Sequence, residues 1–240
     1  MKDIKIGTIN SVILENIKNI YRKISSAAIR SGRIPFDVKL IAVTKTVDIE
    51  MIKEAVSFGL RALGESRVQE AQKKIADCSA QCADCDIEWH MIGHLQKNKA
   101  KIAVQLFDLI QSLDSIELAK ELNKHSEKAG KIQRVLIEVK LSEEESKYGV
   151  AKETLMDLIK VISEMKSLKL EGLMTIPPFS DNPEMARPYF KKLRELRDQA
   201  ESKGYRLPEL SMGMTNDYET AILEGATMVR IGTGIFGERR

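Results

Sequence analysis

The sequence lacks the features that would place it in a membrane, outside the cell or on nucleic acid. None of its apolar runs approaches the roughly 20 residues needed to span a bilayer. The first ten residues alternate charges with isolated isoleucines and contain no apolar core of a signal peptide. Its 38 basic and 35 acidic residues leave a formal charge of only +3, which gives no strong reason to expect nucleic-acid binding. We therefore predict a soluble, cytoplasmic protein.

Cysteine is also scarce, and its three copies lie close together. Cys78, Cys82 and Cys85 form an odd, clustered set, which is not a disulfide framework. Their C-x3-C-x2-C spacing matches the iron–sulfur signature of radical enzymes that use S-adenosylmethionine, and thiolates do ligate [4Fe–4S] clusters. The alternative is a polar connection in which cysteine is incidental. We favour this alternative, because the cluster precedes a predicted strand, whereas the catalytic face of a barrel is built from loops that follow strands.

What the sequence does contain is regular periodicity. Apolar residues make up 43% of the 240 residues, too many for a disordered chain. A stripe of isoleucines at three- and four-residue spacing predicts one amphipathic helix that ends near Gly32 and Pro35. Its members are Ile6, Ile9, Ile13, Ile17, Ile20 and Ile24.

A repeated alternation of strands and helices follows this helix. The predicted strands span 38–45, 61–64, 87–92, 109–113, 134–139, 170–176, 209–212 and 228–231. The predicted helices span 48–58, 68–76, 97–106, 115–129, 151–165, 186–202 and 217–223. Such alternation indicates parallel strands with right-handed crossovers. Eight units in this length favour an α/β fold, a closed (β/α)8 TIM barrel with an extra N-terminal helix in one domain, residues 1–240. An open doubly wound sheet is the alternative.

Three segments at the carboxyl ends of predicted strands could carry chemistry. The first is Lys45, because burial lowers the pKa of an amine and makes it nucleophilic, as Schiff-base chemistry requires. An ordinary surface lysine past the strand end fits the position equally well. The second is Arg230 to Gly237, and the third is Ser211 to Asp217. Barrels commonly bind phosphate after strands 7 and 8, so these two segments predict a phosphate pocket.

Two motif matches point elsewhere and are rejected. Gly232, Gly234 and Gly237 fit G-x-G-x-x-G, but a dinucleotide fold needs a further βαβ unit and an acidic residue about twenty positions on. The chain ends at Arg240. His90 and His94 have i, i+4 spacing, but they lie on a strand and turn and lack the glutamate of H-E-x-x-H. We predict no metal site.

Five segments together resemble a known family, the pyridoxal phosphate homeostasis proteins, single-domain relatives of the alanine racemase N-terminal barrel. The segments are 41–46 (IAVTKT), 89–99 (WHMIGHLQKNK), 172–176 (GLMTI), 210–214 (LSMGM) and 228–237 (MVRIGTGIFG). They cover nearly the whole chain in order. The sequence departs from the family at Ser66 and Arg67, where an asparagine usually follows Gly-Glu, at Thr215, where serine is common, and in its three cysteines.

The resemblance implies a cofactor site for pyridoxal 5′-phosphate (PLP). It implies a Schiff base on Lys45, and Arg230 facing the pyridine nitrogen. It also implies phosphate contacts from Ser211, Gly232 and Thr233, with Met212 as a further cofactor-binding residue.

Three functions remain open at this point. We favour a non-catalytic carrier that holds PLP and hands it to apo-enzymes or to the free pool. Racemisation needs acid/base groups on both faces of the substrate carbon, and alanine racemases take one of them from a second domain and a partner subunit. Here the barrel is expected to use the whole chain, and we expect a monomer. A racemase-like PLP enzyme and an iron–sulfur enzyme are the alternatives.

Overall fold

The computed structural model describes residues 11–81, 86–142, 144 and 148–238 of the chain. Its strands are β1 (Lys39–Val43), β2 (Ala62–Glu65), β3 (Glu88–Met91), β4 (Leu109–Leu113), β5 (Gln133–Lys140), β6 (Val150–Ala151), β7 (Leu168–Met174), β8 (Glu209–Ser211) and β9 (Met228–Ile231). Its α-helices are α1 (Val12–Arg30), α2 (Ile49–Ser57), α3 (Val68–Gln81), α4 (Ala100–Leu106), α5 (Ile116–Lys128), α6 (Leu155–Ser163), α7 (Arg187–Glu201), α8 (Tyr218–Leu223) and α9 (Thr233–Phe236). Short 3-10 helices span Pro35–Asp37, Lys97–Lys99 and Pro183–Ala186.

Eight of these strands form a closed parallel barrel. The strand order is β4-β3-β2-β1-β9-β8-β7-β5, and β4 also pairs with β5, which closes the ring. The additional strand β6 pairs with β5 outside this ring order. The predicted TIM barrel is therefore confirmed, and the open sheet is not what forms.

Apolar residues fill the barrel and the layer around it. One buried residue from each of six strands forms a cluster inside the barrel: Ile41, Ala62, Leu109, Leu136, Met174 and Met228. A larger cluster lies between the strands and the surrounding helices. Strands that are buried on both faces in this way read as near-continuous apolar runs, which is why the sequence shows them clearly.

The predicted N-terminal helix is present as α1. Ser11 caps it by accepting a hydrogen bond from the Leu14 N–H, and Ile13, Ile17, Ile20 and Ile24 form its buried face. Asn16 Nδ2 donates to the Ile235 carbonyl 3.0 Å away, which ties α1 to α9. Ile6 and Ile9 lie outside the described residues. No helix among those the structure describes is both long and apolar enough to cross a membrane.

Several boundaries differ from the predicted ones. β1 ends at Val43 rather than at Lys45, because the chain turns at Lys45 and Thr46. Helix α3 continues past the predicted end at 76, so Cys78 is a buried helical residue and not part of a polar connection. Cys82 and Cys85 lie outside the described residues. The sequence reading also missed β6 and gave α6 four extra residues at its start, Ala151 to Thr154.

Candidate functional site

A cavity of about 240 Å³ lies at the carboxyl end of the barrel. The loops that follow β1, β7, β8 and β9 provide most of its wall. It is lined by Val43, Lys45, Phe179, Ser180, Met214, Thr215, Asn216, Asp217, Arg230, Gly232 and Thr233. This volume is below the roughly 300–1,000 Å³ of typical small-molecule pockets, so it suits a compact ligand.

Lys45 stands at the mouth of the barrel, in the turn after β1. Its side chain is half-buried, and the next residue, Thr46, has a positive φ of 60°. The preceding residue, Thr44, is fully buried and donates its N–H to the Gly64 carbonyl of β2. The turn therefore begins from a rigid strand and brings Lys45 to the cavity wall.

Arg230 lies on β9 beneath the same cavity. It is 3% exposed, and its guanidinium donates to Ser211 Oγ at 2.6 Å and to the Thr175 carbonyl at 2.9 Å. Burial lowers its pKa to about 10, although the carboxylates of Glu138 and Asp217 act in the opposite direction. The site therefore contains a fixed cation at neutral pH, held by neutral oxygen acceptors.

The loops after β8 and β9 meet through hydroxyl and backbone groups. Thr215 Oγ1 accepts a hydrogen bond from Gly234 N at 3.3 Å and another from Thr233 Oγ1 at 3.2 Å. A Cβ on Gly234 would lie 3.2 Å from Thr215 Cγ2 and 3.0 Å from Ile231 Cγ2, so glycine permits this close approach. The four-residue helix α9 begins at Thr233. Its Gly234 N–H donates to Thr215, and its Ile235 and Phe236 N–H groups donate to the Gly232 carbonyl. Thr215 Oγ1 is the acceptor in both of its hydrogen bonds here, so its own proton can be donated to a phosphate oxygen.

The β8 loop is shaped by Gly213 and Asp217. Gly213 has a φ of +93°, and a Cβ there would lie 2.6 Å from the Cβ of Ala221. Asp217 Oδ1 accepts from the Met214 N–H at 2.6 Å. Burial raises the pKa of Asp217, although the Met214 hydrogen bond and the charge of Arg230 oppose this.

Ser211 and Met212 are placed beneath the cavity rather than in its wall. Both are fully buried. Ser211 Oγ accepts from Arg230 and donates to Gln111 Oε1 at 2.6 Å, and Gln111 Nε2 lies 2.7 Å from His90 Nδ1. These four residues, His90, Gln111, Ser211 and Arg230, are called the core chain below. Of the six predicted site residues, the structure brings Lys45, Arg230, Gly232 and Thr233 together in the cavity wall.

Two residues that line the cavity were not predicted from the sequence. Phe179 and Ser180 belong to the proline-rich loop after β7, and Phe179 is 74% exposed. An apolar side chain in a loop after a barrel strand would have been a reasonable marker, since such loops form the functional face. Glu70 and Lys74 of α3, which form hydrogen bonds to the residues on either side of Lys45, were also not predicted. Their proximity to Lys45 depends on how α3 packs in the fold, which no local sequence pattern shows.

The two histidines of the rejected zinc motif lie in different surroundings. His90 is fully buried in the barrel, whereas His94 is partly exposed, stacks on Tyr148 with ring centroids 3.8 Å apart, and has Nδ1 3.2 Å from Asp114 Oδ2. Within the described part of the chain, no group of three or more metal-binding side chains is arranged to hold an ion.

A larger cleft of about 890 Å³ lies at the amino end of the barrel and has mixed charge. There Lys39 and Arg134 both pair with Glu88, at 2.7 and 2.5 Å. Arg134 also pairs with Glu171 at 2.8 Å. The cleft therefore carries carboxylates beside its cations, which disfavours an anionic ligand there.

Comparison with known proteins gives one consistent result. A model of the alanine racemase N-terminal domain family matches residues 12–240. Curated pyridoxal phosphate homeostasis proteins are similar over nearly their whole length. One from Aquifex aeolicus is 47% identical over 94% of this chain and 98% of its own, and one from Escherichia coli is 38% identical over 95% and 97%.

Solved structures agree with this result. PipY of Synechococcus elongatus, solved with PLP bound, has a TM-score of 0.82 and 34% identity, over 94% of this chain and all of its own. An alanine racemase of Clostridium difficile shares the fold, with a TM-score of 0.72 and 16% identity over 57% of its chain. The chain therefore belongs to the pyridoxal phosphate homeostasis proteins, within the alanine racemase N-terminal domain family.

Proposed function

We propose that this protein binds PLP in the cavity at the carboxyl end of the barrel, as a Schiff base with Lys45, and serves intracellular PLP homeostasis without catalysing racemisation. The observation that supports this most strongly is the grouping of an amine, a buried guanidinium and a hydroxyl-rich glycine loop around about 240 Å³. The relatives are named for PLP homeostasis, and PipY has been solved with PLP bound.

The residues present fit the chemical groups of PLP. The Lys45 amine is the nucleophile that condenses with an aldehyde, with loss of water. Thr215, Gly232 and Thr233 offer donors to a phosphate, and a Cβ at Gly234 would push the two loops apart. Arg230 provides positive charge beneath the cavity and is assigned to the pyridine nitrogen. Ser211 and Met212 support Arg230 and the β8 loop from below, so the phosphate role predicted for Ser211 is better filled by Thr215.

Bound PLP supplies an electron sink, which is strongest when its ring nitrogen is protonated. Arg230 opposes that protonation, because its own pKa of about 10 keeps it a cation at neutral pH. It can donate a hydrogen bond to the nitrogen but cannot accept a proton from a pyridinium. This weakens carbanion chemistry and favours storage of the aldehyde over its use.

The two kinds of relative are matched to different extents, and the homeostasis protein of Aquifex aeolicus is matched over 98% of its own length. The Clostridium difficile racemase match covers 57% of that chain, so the racemase has a large region outside the shared barrel. We propose a single PLP-binding domain over residues 1–240, a monomeric cytoplasmic protein, and apo-enzymes that use PLP as recipients.

Lys45→Ala tests the proposal directly. We expect wild-type protein with PLP to absorb near about 420 nm, as Schiff bases of this kind do, and Lys45→Ala to lose this band. Lys53→Ala, a lysine on α2 paired with Glu50, is the matched control and should keep it. Borohydride reduction and mass mapping should place the label on Lys45. An unchanged spectrum in Lys45→Ala would rule out the assignment.

The same samples separate a carrier from a racemase. A racemase would release α-deuterium from a labelled amino acid into water over many turnovers, and would lose this activity in Lys45→Ala. We expect no more than the slow exchange of free PLP.

A further inference from the structure

The turn that contains Lys45 is held from α3 on both sides of the lysine. Before it, the Thr44 carbonyl accepts a hydrogen bond from Lys74 Nζ at 2.5 Å. After it, the Thr46 N–H donates to Glu70 Oε1 at 2.5 Å. Both flanking residues are therefore attached to side chains of one helix, while Lys45 itself lines the cavity.

Lys74 is the centre of this attachment. Its ammonium contacts Glu65 Oε1 at 2.9 Å and Glu70 Oε1 at 2.6 Å, in addition to Thr44. An ammonium has three donors, so all three are used. Glu65 also accepts from Thr44 Oγ1 at 2.6 Å. We call Glu65, Glu70 and Lys74 the α3 cluster.

Burial makes this geometry demanding. Glu65 is fully buried and Lys74 is 8% exposed. Burial raises the pKa of Glu65, although its hydrogen bonds from Thr44 and Lys74 oppose this. Burial would likewise raise the pKa of Glu70, but its hydrogen bonds from Lys74 and the Thr46 N–H outweigh it, and the pKa is lowered. The cluster depends on the Lys74 cation, since removing one partner of a buried ion pair leaves an uncompensated charge.

The backbone next to Lys45 is strained at Thr46, and the α3 cluster forms a hydrogen bond to this strained residue. Among the described residues Thr46 is the one non-glycine residue with a positive φ, and a β-branched residue is a clear outlier in this region. Such strain persists where the surrounding structure enforces it, often at functional sites. Two hydrogen bonds hold this residue: the Thr46 N–H donates to Glu70 Oε1, and the Val47 N–H donates to the Thr44 carbonyl across the turn at 3.0 Å.

We propose that Lys74 is a positioning residue for Lys45: through Thr44, and through Glu70 to Thr46, it sets the turn that presents the Lys45 amine to the cavity. This inference rests on the proposed PLP function. Lys74 does not line the cavity, so it acts through the backbone and through its charge. It also balances Glu65 and Glu70 behind Lys45, while Arg230 and Asp217 face Lys45 from the cavity side.

The test uses the full chain with three single substitutions. Lys74→Met removes the cation and keeps the chain length, and Glu70→Gln removes one anion with little change of shape. Lys73→Met alters the adjacent, exposed lysine of the same helix and is the matched control. Each protein is titrated with PLP at about 420 nm, and the midpoint of band formation is measured as a function of pH.

We expect Lys74→Met to raise the half-saturating PLP concentration at least about tenfold, which equals about 1.4 kcal/mol. Removing a cation should also raise the pKa of the Lys45 amine and move the pH midpoint upward. Glu70→Gln should move the midpoint downward, because an anion is lost. Lys73→Met should leave both quantities unchanged.

The opposite signs distinguish positioning and charge balance from a general loss of structure. Shifts in the same direction for Lys74→Met and Glu70→Gln, or a folded Lys74→Met with wild-type binding, would overturn the inference and leave the proposed function intact. Where circular dichroism shows Lys74→Met to be unfolded, the downward shift in Glu70→Gln supports the inference and its absence overturns it. A wild-type protein without the band would remove the proposed function and this inference together.

Discussion

Two buried polar networks approach the cavity, and they are built from different chemistry. The α3 cluster is ionic, and its member Glu70 keeps 24% of its side chain exposed. The core chain lies inside the barrel, where His90, Gln111 and Ser211 are fully buried and connected by short hydrogen bonds. The first network holds the backbone on either side of Lys45. The second holds the guanidinium of Arg230.

The two networks therefore use different means, one to hold the backbone beside Lys45 and the other to hold the side chain of Arg230. In the α3 cluster the charge of Lys74 is balanced by two glutamates, of which Glu65 is fully buried and Glu70 is partly exposed. In the barrel interior an extra ion would be costly, so Arg230 is oriented by a serine hydroxyl and a backbone carbonyl instead. We therefore expect the two networks to respond differently to substitution and to pH.

The largest expected effect comes from breaking the core chain at Gln111. Gln111→Leu keeps the size of the side chain but removes the partner of His90 Nδ1 and the acceptor of the Ser211 hydroxyl proton, while Ser211 Oγ keeps its hydrogen bond from Arg230. Each buried polar group left without a partner costs about 1–3 kcal/mol, so we expect a loss of about 2–3 kcal/mol of unfolding free energy, measured in urea. Glu70→Gln, in the α3 cluster, should cost less than about 1 kcal/mol. Equal losses in the two variants would contradict the contrast between the networks.

A smaller effect should appear when the unfolding free energy is measured as a function of pH, because His90 of the core chain is titratable. Burial lowers the pKa of His90, although Glu88, whose Oε1 lies 3.3 Å from His90 Nε2, acts in the opposite direction, and Lys39 and Arg134 add to the lowering. The unfolded chain therefore binds a proton at a higher pH than the folded chain does. Stability is complete above the unfolded pKa of about 6.5 and is lost as pH falls from there toward the folded value, by up to about 1.4 kcal/mol per pH unit.

His90→Gln should remove this dependence. We expect unfolding free energies measured between pH 7 and pH 5.5 to fall less in His90→Gln than in wild type. The other two histidines serve as an internal control, because His94 and His125 remain in both proteins. A parallel fall in the two proteins would show that His90 does not titrate in this range.

The sequence predicted the strands of the barrel well, because they are buried on both faces and bounded by turns. It predicted the end of β1 poorly, since the turn at Thr46 depends on a hydrogen bond that the Thr46 N–H donates to Glu70 of α3, which no local pattern reveals. In the site, Lys45, Gly232 and Thr233 could be found by their positions after strands, whereas Arg230 lies on β9 itself. The phosphate contact of Ser211 was implied by the family resemblance and stays a prediction. Ser211 is the last residue of β8, and its hydroxyl donates to Gln111 inside the barrel.

The smallest expected change in unfolding free energy comes from Thr46, the strained residue in the turn after β1. Thr46→Gly removes the steric cost of a positive φ, but glycine also gains entropy in the unfolded chain. The first effect is larger for a β-branched residue, so we expect a net stabilisation of about 0.5 kcal/mol in urea unfolding. If Thr46→Gly destabilises the protein, the turn is not strained, and its shape is the resting preference of the chain rather than a conformation that the α3 cluster imposes.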